Sequence, residues 1–385
     1  MEVKTLKDMF EKEYGEGVVD VYFSPGRVNL IGEHIDYNGG YVFPGALTIG
    51  IYGMLRDRSD NIIRLRSKNA IGEVVIDLDR EIVYDERDDW GNYPKGVIKK
   101  IMELGYKVNG FDILFYSNLP DGAGLSSSAA IEVLTAYILL HKNKAEDIDR
   151  VEIAKLCQEV ENKFVGVNCG IMDQFAVSVG RENNAILLDC SNLYYEYVPF
   201  NLKDSSLVIM NTNKRRELSE SKYNERRAEC DKALDIIKAH KEIENLCQAE
   251  IKDLDYIEDE TIKKRARHAI TENMRVKEAV KVLREGDIEA FSKLLIQSHK
   301  SLKEDYEVTG LHLDAIVEEA LKFKGCLGAR MTGAGFGGCA IAIVKEGMEE
   351  EFINEVSNRY KDRTGIKADF YISKIGDGVK FIGRC

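Results

Sequence analysis

No stretch of the sequence approaches the roughly 20 consecutive apolar residues that a membrane-spanning helix needs. The first residues, Met1–Lys4, contain no apolar region of the kind that a signal peptide has. A basic surplus is also missing, since the net charge is -12, and nucleic-acid binding depends on clustered Lys and Arg. We therefore expect a cytoplasmic protein that binds neither a membrane nor a nucleic acid and that holds any anionic ligand locally.

Closely spaced cysteines are absent too. The eight cysteines stand singly in the chain, with no Cys-x-x-Cys pair and no histidine at metal-ligand spacing. Zinc sites and disulfide-stabilised proteins show the opposite pattern. We expect neither a zinc ion nor disulfide bonds.

The chain has no low-complexity tract, no internal repeat and no Pro- or Ser-rich linker. Apolar residues make up 44% of it and charged residues 31%, which predicts a packed globular protein. Its 385 residues exceed the size of one ordinary hydrophobic core. We therefore expect two domains with a cleft between them, with a boundary near residues 195–205 that divides the chain into 1–200 and 201–385.

The spacing of apolar residues predicts a mixture of helices and strands. In the first half it predicts a helix over Thr5–Tyr14, a strand from about Val18 to Ser24, paired strands over Ile62–Val83 and a strand over Phe111–Ser117. From about Ser219 onward it predicts long amphipathic helices, followed by a closing series of helix, strand, helix and strand. The expected fold class is α+β.

A glycine-rich loop follows Pro120. It reads Pro120-Asp121-Gly122-Ala123-Gly124-Leu125-Ser126-Ser127-Ser128-Ala129-Ala130 and leads into an apolar run that predicts a helix ending near His141. Gly122 and Gly124 allow the backbone to approach an anion closely, while the free N–H groups and positive dipole end of the helix face that anion. A capped helix after a tight turn is the alternative, but one Ser and one Gly would be enough for it. The loop therefore predicts phosphate binding.

Two common classes of nucleotide-binding kinase are excluded by missing motifs. No Gly-Lys-Ser/Thr follows the loop, so it is not a Walker A motif. The triplets His-Arg-Asp and Asp-Phe-Gly of protein kinases are absent as well. Any kinase chemistry must therefore use a different phosphate-binding architecture.

A second glycine-rich segment lies near the C-terminus. Met331-Thr332-Gly333-Ala334-Gly335-Phe336-Gly337-Gly338 contains G-x-G-x-x-G, but a dinucleotide fingerprint needs a preceding strand and a following helix. Here we predict a helix and loop before the segment and a strand, Cys339 to Val344, after it. Its glycines either bring backbone close to a ligand in the cleft or form a structural turn.

Several segments together resemble one family. Ser24-Pro25-Gly26-Arg27-Val28-Asn29-Leu30-Ile31-Gly32-Glu33-His34-Ile35-Asp36-Tyr37-Asn38-Gly39-Gly40 is similar to the signature of galactokinases, within the GHMP kinase superfamily. The loop Pro120 to Ala130 resembles the superfamily's ATP motif, Cys169 to Gln174 the segment with its catalytic Asp, and Met331 to Cys339 its C-terminal glycine motif. His299 to Leu313 is similar to a further family segment.

The resemblance implies a two-domain fold and an activity. It implies an N-terminal domain like that of a small-ribosomal-subunit protein and a C-terminal ferredoxin-like α+β domain, with the active site between them. It also implies transfer of the γ-phosphate of ATP, with Mg²⁺, to the anomeric hydroxyl of galactose, a step of galactose catabolism that yields galactose 1-phosphate and ADP. The partners are then galactose and ATP, and we expect a monomer.

The resemblance implies that Asp173 and Arg27 are catalytic. Asp173 matches the proposed general base, which accepts the hydroxyl proton during attack on the γ-phosphate. A neighbouring guanidinium weakens a carboxylate as a base, so Asp173 can instead orient the hydroxyl while Arg27 stabilises transferring charge. The sequence leaves both roles open. Without the resemblance, a helix cap or a salt bridge would be the expected role of Asp173.

The other site residues also follow from the resemblance, because each taken alone is typical of an ordinary turn, strand end or helix surface. The implied sugar-binding residues are Glu33, His34, Ile35, Asp36, Asp173 and Tyr223. The implied nucleotide-binding residues are Ser67, Gly122, Ala123, Gly124, Leu125, Ser126, Ser127 and Ser128. The implied Mg²⁺ ligands are Ser128 and Glu161, a hydroxyl and a carboxylate, as suits a hard cation that keeps several waters.

Two alternatives to a galactose kinase stay open on the sequence alone. One is a kinase for N-acetylgalactosamine, arabinose or another sugar, because the pocket around the second sugar carbon cannot be read from a sequence. The other is a catalytically silent galactose sensor; relatives of that kind are damaged in the ATP loop, whereas Ser127-Ser128-Ala129 is intact here.

Overall fold

The computed structural model describes residues 2–120, 122–144, 149–214 and 219–385, so Asp121 of the phosphate loop lies outside the described residues. Within these ranges the chain forms three β-sheets. The helices are α1 Val3–Tyr14, α2 Asn92–Glu103, α3 Ser127–Lys142, α4 Arg150–Val160, α5 Met172–Val179, α6 Ser219–Lys238, α7 Glu260–Arg284, α8 Ile288–Glu304, α9 Gly310–Lys322 and α10 Glu349–Thr364. No helix in the described ranges has the length and apolar character needed to cross a bilayer.

The strands predicted near Val18 to Ser24, within Ile62–Val83 and over Phe111–Ser117 are present, and the first half of the chain also contains strands that were not predicted, the longest of them Pro44–Asp57. The strands are β1 Asp20–Asn29, β2 Tyr41–Val42, β3 Pro44–Asp57, β4 Ile62–Ser67, β5 Glu73–Asp77, β6 Phe111–Ser117, β7 Asn184–Asp189, β8 Tyr195–Pro199, β9 Ser205–Asn211, β10 Cys326–Thr332, β11 Cys339–Lys345, β12 Asp369–Ser373 and β13 Lys380–Arg384. The strand predicted near Val18 to Ser24 extends to Asn29 and so includes Arg27. This extension places part of the signature segment inside a sheet.

The first sheet has the strand order β13-β1-β3-β6-β4-β5. Every residue of β1 is buried, because the sheet is covered on both faces. Leu6 and Phe10 of α1 pack with Val21 and Phe23 on one face, and α3 and α5 contact β1 and β3. Burial on both faces explains why β1 lacks the apolar–polar alternation of a half-exposed strand.

The second sheet is antiparallel and has the order β10-β11-β9-β12. Helices α8 and α9 contact β10, and α10 contacts β11 and β12. An antiparallel sheet with helices packed on it is an α+β arrangement. The expected fold class is therefore confirmed.

A small third sheet, β2-β7-β8, holds the segment that follows the signature. The Tyr41 N–H at the start of β2 donates to Asn273 Oδ1 of α7 at 2.9 Å. Helix α7 thus contacts the chain directly after residues 33–40.

The structure corrects one prediction about the C-terminal glycine segment. A strand, β10, precedes it instead of a helix and loop, and β11 follows, so the segment connects two antiparallel strands. Gly328 and Ala329 give β10 little intrinsic strand propensity, but pairing with β11 decides the outcome. A strand–loop–strand connection still differs from the strand–loop–helix unit of a dinucleotide site.

The last strand crosses the predicted division of the chain. β13 pairs with β1, so Lys380–Arg384 belongs to the first sheet although it lies in the second half of the sequence. Arg384 also bonds Asp20 of β1 through two nitrogens, at 2.6 and 2.9 Å. The division at residue 200 stays a prediction.

Candidate active site

A cleft of about 320 Å³ lies between the signature segment and elements of the second half of the chain. Seven of the predicted site residues line it: Arg27, Glu33, His34, Asp36, Glu161, Asp173 and Tyr223. Gly333 and Ala334 of the C-terminal glycine segment line it too. Residues that are up to about 300 positions apart in the sequence therefore meet at one site.

Arg27 and Asp173 form a two-pronged ion pair at one end of the cleft. Arg27 donates from Nε to Asp173 Oδ1 at 2.8 Å and from Nη2 to Oδ2 at 2.7 Å. Its Nη1 donates to the carbonyl oxygen of Gly124 at 2.7 Å, and the Ser126 hydroxyl donates to Asp173 Oδ2 at 2.6 Å. The pair therefore joins the catalytic candidate directly to the glycine-rich loop.

The glycine-rich loop turns sharply before α3. Gly122 and Gly124 have φ values of 63° and 71°, and Ser126 has a φ of 64°. Left-handed backbone of this kind favours glycine, and a serine there is held by its hydroxyl bond to Asp173. Gly26 packs beneath the loop, because a Cβ on it would lie 2.7 Å from the carbonyl oxygen of Leu125. Ser127 and Ser128 then begin the helix, and the free N–H groups of a helix start favour an anion.

Glu33 links the signature segment to the C-terminal glycine segment. Its Oε1 accepts from the Gly333 N–H at 2.7 Å and from the Thr332 hydroxyl at 3.0 Å, and lies 3.4 Å from Arg330 Nη2. Its Oε2 accepts from Asn29 Nδ2 at 3.0 Å. The carboxylate is thus fixed on one side and faces the cleft on the other.

Asp36 lies in the cleft close to other acids. Burial, and next the charges of Asp173 and Glu33, raise the pKa of its carboxyl to about 7. Gly170 packs directly against it, since a Cβ on Gly170 would lie 1.9 Å from Asp36 Oδ2. A carboxylate held in this way is ready to accept hydrogen bonds from ligand hydroxyl groups.

The two predicted Mg²⁺ ligands lie side by side. Ser128, in the first turn of α3, bonds the carboxylate of Glu161, at the start of the π-helical turn Glu161–Val165. Burial, and then the charge of Asp173, raise the pKa of Glu161 to about 7. Gln174 donates from Nε2 to Glu161 Oε2 at 2.5 Å.

A hydroxyl and a carboxylate in a carboxylate-rich cleft fit one side of a Mg²⁺ shell, in which phosphate oxygens and water supply the other ligands. Among the described residues no group of three or more His, Cys, Asp or Glu is arranged to hold a metal by protein ligands alone. Asp173 nevertheless repels both Glu161 and Asp36, and a divalent cation would offset that repulsion. The donor set therefore fits Mg²⁺ bound together with a nucleotide.

Some predicted residues lie outside the cleft lining. Ile35 is fully buried and packs against Gly40. Ser67 lies at the end of β4, where its hydroxyl accepts from the Asn69 N–H at 3.1 Å. Ala123 and Leu125 are buried within the loop, so their backbone is the part of them available to a ligand.

Sequence reasoning missed several residues that line the cleft. Tyr37, Gly170 and Tyr93 are among them. Tyr37 lies inside the signature segment, and Gly170 lies three residues before Asp173, so both stood within quoted motifs. Tyr93 enters from α2, and no motif in the sequence marks it.

Comparisons with known proteins agree with this geometry. The galactokinase galactose-binding signature matches residues 8–57, the GHMP kinase N-terminal domain residues 92–181 and the GHMP kinase C-terminal domain residues 279–362. Galactokinase from Fusobacterium nucleatum is 52% identical over 98% of both chains. Galactokinase from Clostridium tetani is 53% identical over 98% of this chain and 97% of that protein.

A solved structure supports the same relationship. The crystal structure of Lactococcus lactis galactokinase complexed with galactose matches with a TM-score of 0.94 and 45% sequence identity, over 99% of this chain and 100% of the other. The match therefore covers all three sheets and the cleft. The chain belongs to the galactokinase family of the GHMP kinases.

Proposed function

We propose that this protein transfers the γ-phosphate of ATP to the anomeric hydroxyl of galactose, producing galactose 1-phosphate and ADP. One observation carries the proposal: the Arg27–Asp173 pair connects a loop of phosphate-binding geometry to a pocket lined by carboxylates. The relatives that match over the full chain are galactokinases, and the structure match is a galactose complex. A kinase for a different sugar and a silent sensor are less favoured, because the relatives that match over the full chain are galactokinases.

Asp173 orients the attacking hydroxyl in this proposal. Three donor groups already bond its carboxylate, two from Arg27 and one from Ser126. A carboxylate has about four lone-pair positions, so one position on Oδ1 is left for a sugar hydroxyl. Because two bonds from Arg27 and one from Ser126 hold the carboxylate in place, the free position on Oδ1 can fix the direction of the attacking hydroxyl.

Arg27 and the loop hold the phosphate side. The guanidinium stands between Asp173 and Gly124, where positive charge stabilises the transferring phosphoryl group. Left-handed glycines and the start of α3 direct N–H groups toward the phosphates. Glu33 and Asp36 accept sugar hydroxyls, and the ring of Tyr223 closes the pocket.

Ser128 and Glu161 hold Mg²⁺ in this proposal. The ion supplies charge neutralisation at the β- and γ-phosphate oxygens when it is bound. Glu161 is kept in place by Gln174, and Ser128 by its position in the first turn of α3. We further propose that the protein acts in the cytoplasm as a monomer.

The proposal is tested by incubating the protein with α-D-galactose and Mg·ATP and measuring ADP release. The product should be galactose 1-phosphate, which ³¹P NMR identifies by coupling to the anomeric proton. A panel that includes N-acetylgalactosamine, arabinose and glucose defines the substrate, and a reaction without the protein is the control. Turnover with another sugar but not with galactose would reassign the substrate, and ligand binding without turnover of any sugar would indicate a sensor.

A further inference from the structure

His34 occupies an unusual position in the sugar-binding turn. Its φ of 61° is left-handed, a conformation that is uncommon for residues other than glycine, although histidine adopts it more readily than most. The turn carries Glu33 on one side and Asp36 on the other. A change in the His34 backbone therefore alters the turn that joins Glu33 to Asp36.

Both ring nitrogens of His34 are bonded to protein groups. Nε2 lies 3.1 Å from the carbonyl oxygen of Ala334, and Nδ1 lies 2.8 Å from the Tyr37 hydroxyl. The Tyr37 hydroxyl lies 2.8 Å from the Tyr306 hydroxyl, which lies 3.1 Å from Cys230 Sγ. This chain of hydrogen bonds, Cys230–Tyr306–Tyr37–His34–Ala334, joins α6, the segment after α8, the signature segment and the C-terminal glycine segment.

The direction of every bond in the chain can be assigned. A carbonyl oxygen only accepts, so His34 Nε2 carries a proton. Burial, and then the nearby His268, lower the pKa of His34 to about 3, so the ring is neutral and Nδ1 accepts from the Tyr37 hydroxyl. Tyr37 must then accept from Tyr306, and Tyr306 accepts from the Cys230 thiol. Hydrogen bonds that run in series, each hydroxyl accepting one bond and donating the next, polarise and strengthen one another.

We propose that Tyr306, through Tyr37, is a positioning residue for the sugar site, holding His34 in one tautomer and one backbone conformation. Tyr306 is fully buried and does not line the cleft, so it acts without touching the sugar. The proposal rests on the proposed function, since galactose is the probe of the site.

The test compares Tyr306→Phe, Tyr37→Phe and the double variant. Loss of the Tyr37 hydroxyl leaves the buried acceptor His34 Nδ1 without its hydrogen bond, which should raise the KM for galactose roughly tenfold. Tyr306→Phe should raise the KM for galactose about threefold. The KM for ATP should stay at the wild-type value in both. In the double variant the KM for galactose should equal that of Tyr37→Phe alone, because Tyr306 then has no hydroxyl to act through.

Tyr22→Phe is the matched control. The Tyr22 hydroxyl is buried and lies 3.1 Å from His141 Nδ1, outside the cleft, so its loss removes the same type of bond. It should lower stability without changing the KM for galactose. Equal effects of Tyr306→Phe on both KM values, an additive double variant or an unchanged KM for galactose would each overturn the proposal.

Two further measurements keep the test decisive. If Tyr306→Phe does not fold, two variants of Cys230 replace it in the test. Cys230→Ser should retain the wild-type KM for galactose, and Cys230→Ala should raise that KM. Equal KM values for the two variants would contradict the proposed series of hydrogen bonds. The ¹⁵N chemical shifts of the His34 ring can be measured without galactose. In the wild type the shift of Nδ1 should be that of a nitrogen that accepts a hydrogen bond, and in Tyr37→Phe it should change to that of an unbonded nitrogen. Unchanged chemical shifts would overturn the proposal. Absence of galactose turnover by the wild type would instead refute the proposed function.

Discussion

Replacing Asp36 by Asn should stabilise the ligand-free protein at alkaline pH while removing sugar binding. Burial and neighbouring acids raise the pKa of Asp36 from 3.8 to about 7. Because the folded-state pKa lies above the unfolded value, the folded state binds the extra proton between about pH 4 and pH 7. The stability contributed by the protonated carboxyl is complete below pH 4 and is lost as the pH rises to 7.

The size of the effect follows from the same shift. Each pH unit in that window is worth about 1.36 kcal/mol, which gives roughly 4 kcal/mol in total. Asp36 is half-buried, so solvent screening lowers the expected value to about 2–3 kcal/mol. Asn keeps an oxygen for the backbone N–H groups that bond Asp36 but carries no charge.

Urea unfolding of the wild type and Asp36→Asn at pH 5, 6, 7 and 8.5 measures this difference. The advantage of the variant should grow between pH 5 and pH 7 and then level off. Asp112→Asn is the control: burial opposes ionisation there, but bonds from Arg64, Arg56 and Arg58 lower the pKa of Asp112. Asp112→Asn should therefore destabilise by a constant amount above pH 5. A pH-independent difference for Asp36→Asn would refute the reasoning.

Three other substitutions test separate parts of the site. Asp173→Ala should lower kcat by at least about 10², and wild-type-like turnover would remove Asp173 from the mechanism. Ser128→Ala should raise the Mg²⁺ concentration needed for tight ATP binding, measured by calorimetry, and an unchanged Mg²⁺ titration would remove Ser128 from the metal site. Gly170→Ala places a Cβ 1.9 Å from Asp36 Oδ2. It should raise the KM for galactose at least tenfold and leave the KM for ATP unchanged. A normal KM for galactose would show that Asp36 is free to move.

The parts of the site that the sequence predicts are those made by short, contiguous segments. Gly122 and Gly124 suit a loop with left-handed backbone because glycine adopts that conformation without strain, and this preference is visible in the residue types. The run from Arg27 to Asp36 likewise carries its chemistry in consecutive positions. Requirements that neighbouring residues meet together can be recognised in the sequence alone.

The parts that could not be predicted depend on contacts between distant segments. Glu161, taken alone, is typical of a helix-surface acid, yet it is buried because a π-helical turn directs it toward α3. Arg330 is fully buried beside Glu33, about 300 residues away, and Tyr306 reaches Tyr37 across 269 positions. No spacing along the chain encodes these approaches, because they follow from how the sheets pack against the helices.

A crystal structure with galactose and a non-hydrolysable ATP analogue bound together would show directly whether Asp173 and the glycine-rich loop act at one site. We predict that the γ-phosphate lies at the loop of residues 122–128, that the anomeric oxygen lies within hydrogen-bond distance of Asp173 Oδ1, and that Arg27 stands between them. A nucleotide bound elsewhere, or a sugar whose anomeric oxygen points away from Asp173, would contradict this prediction.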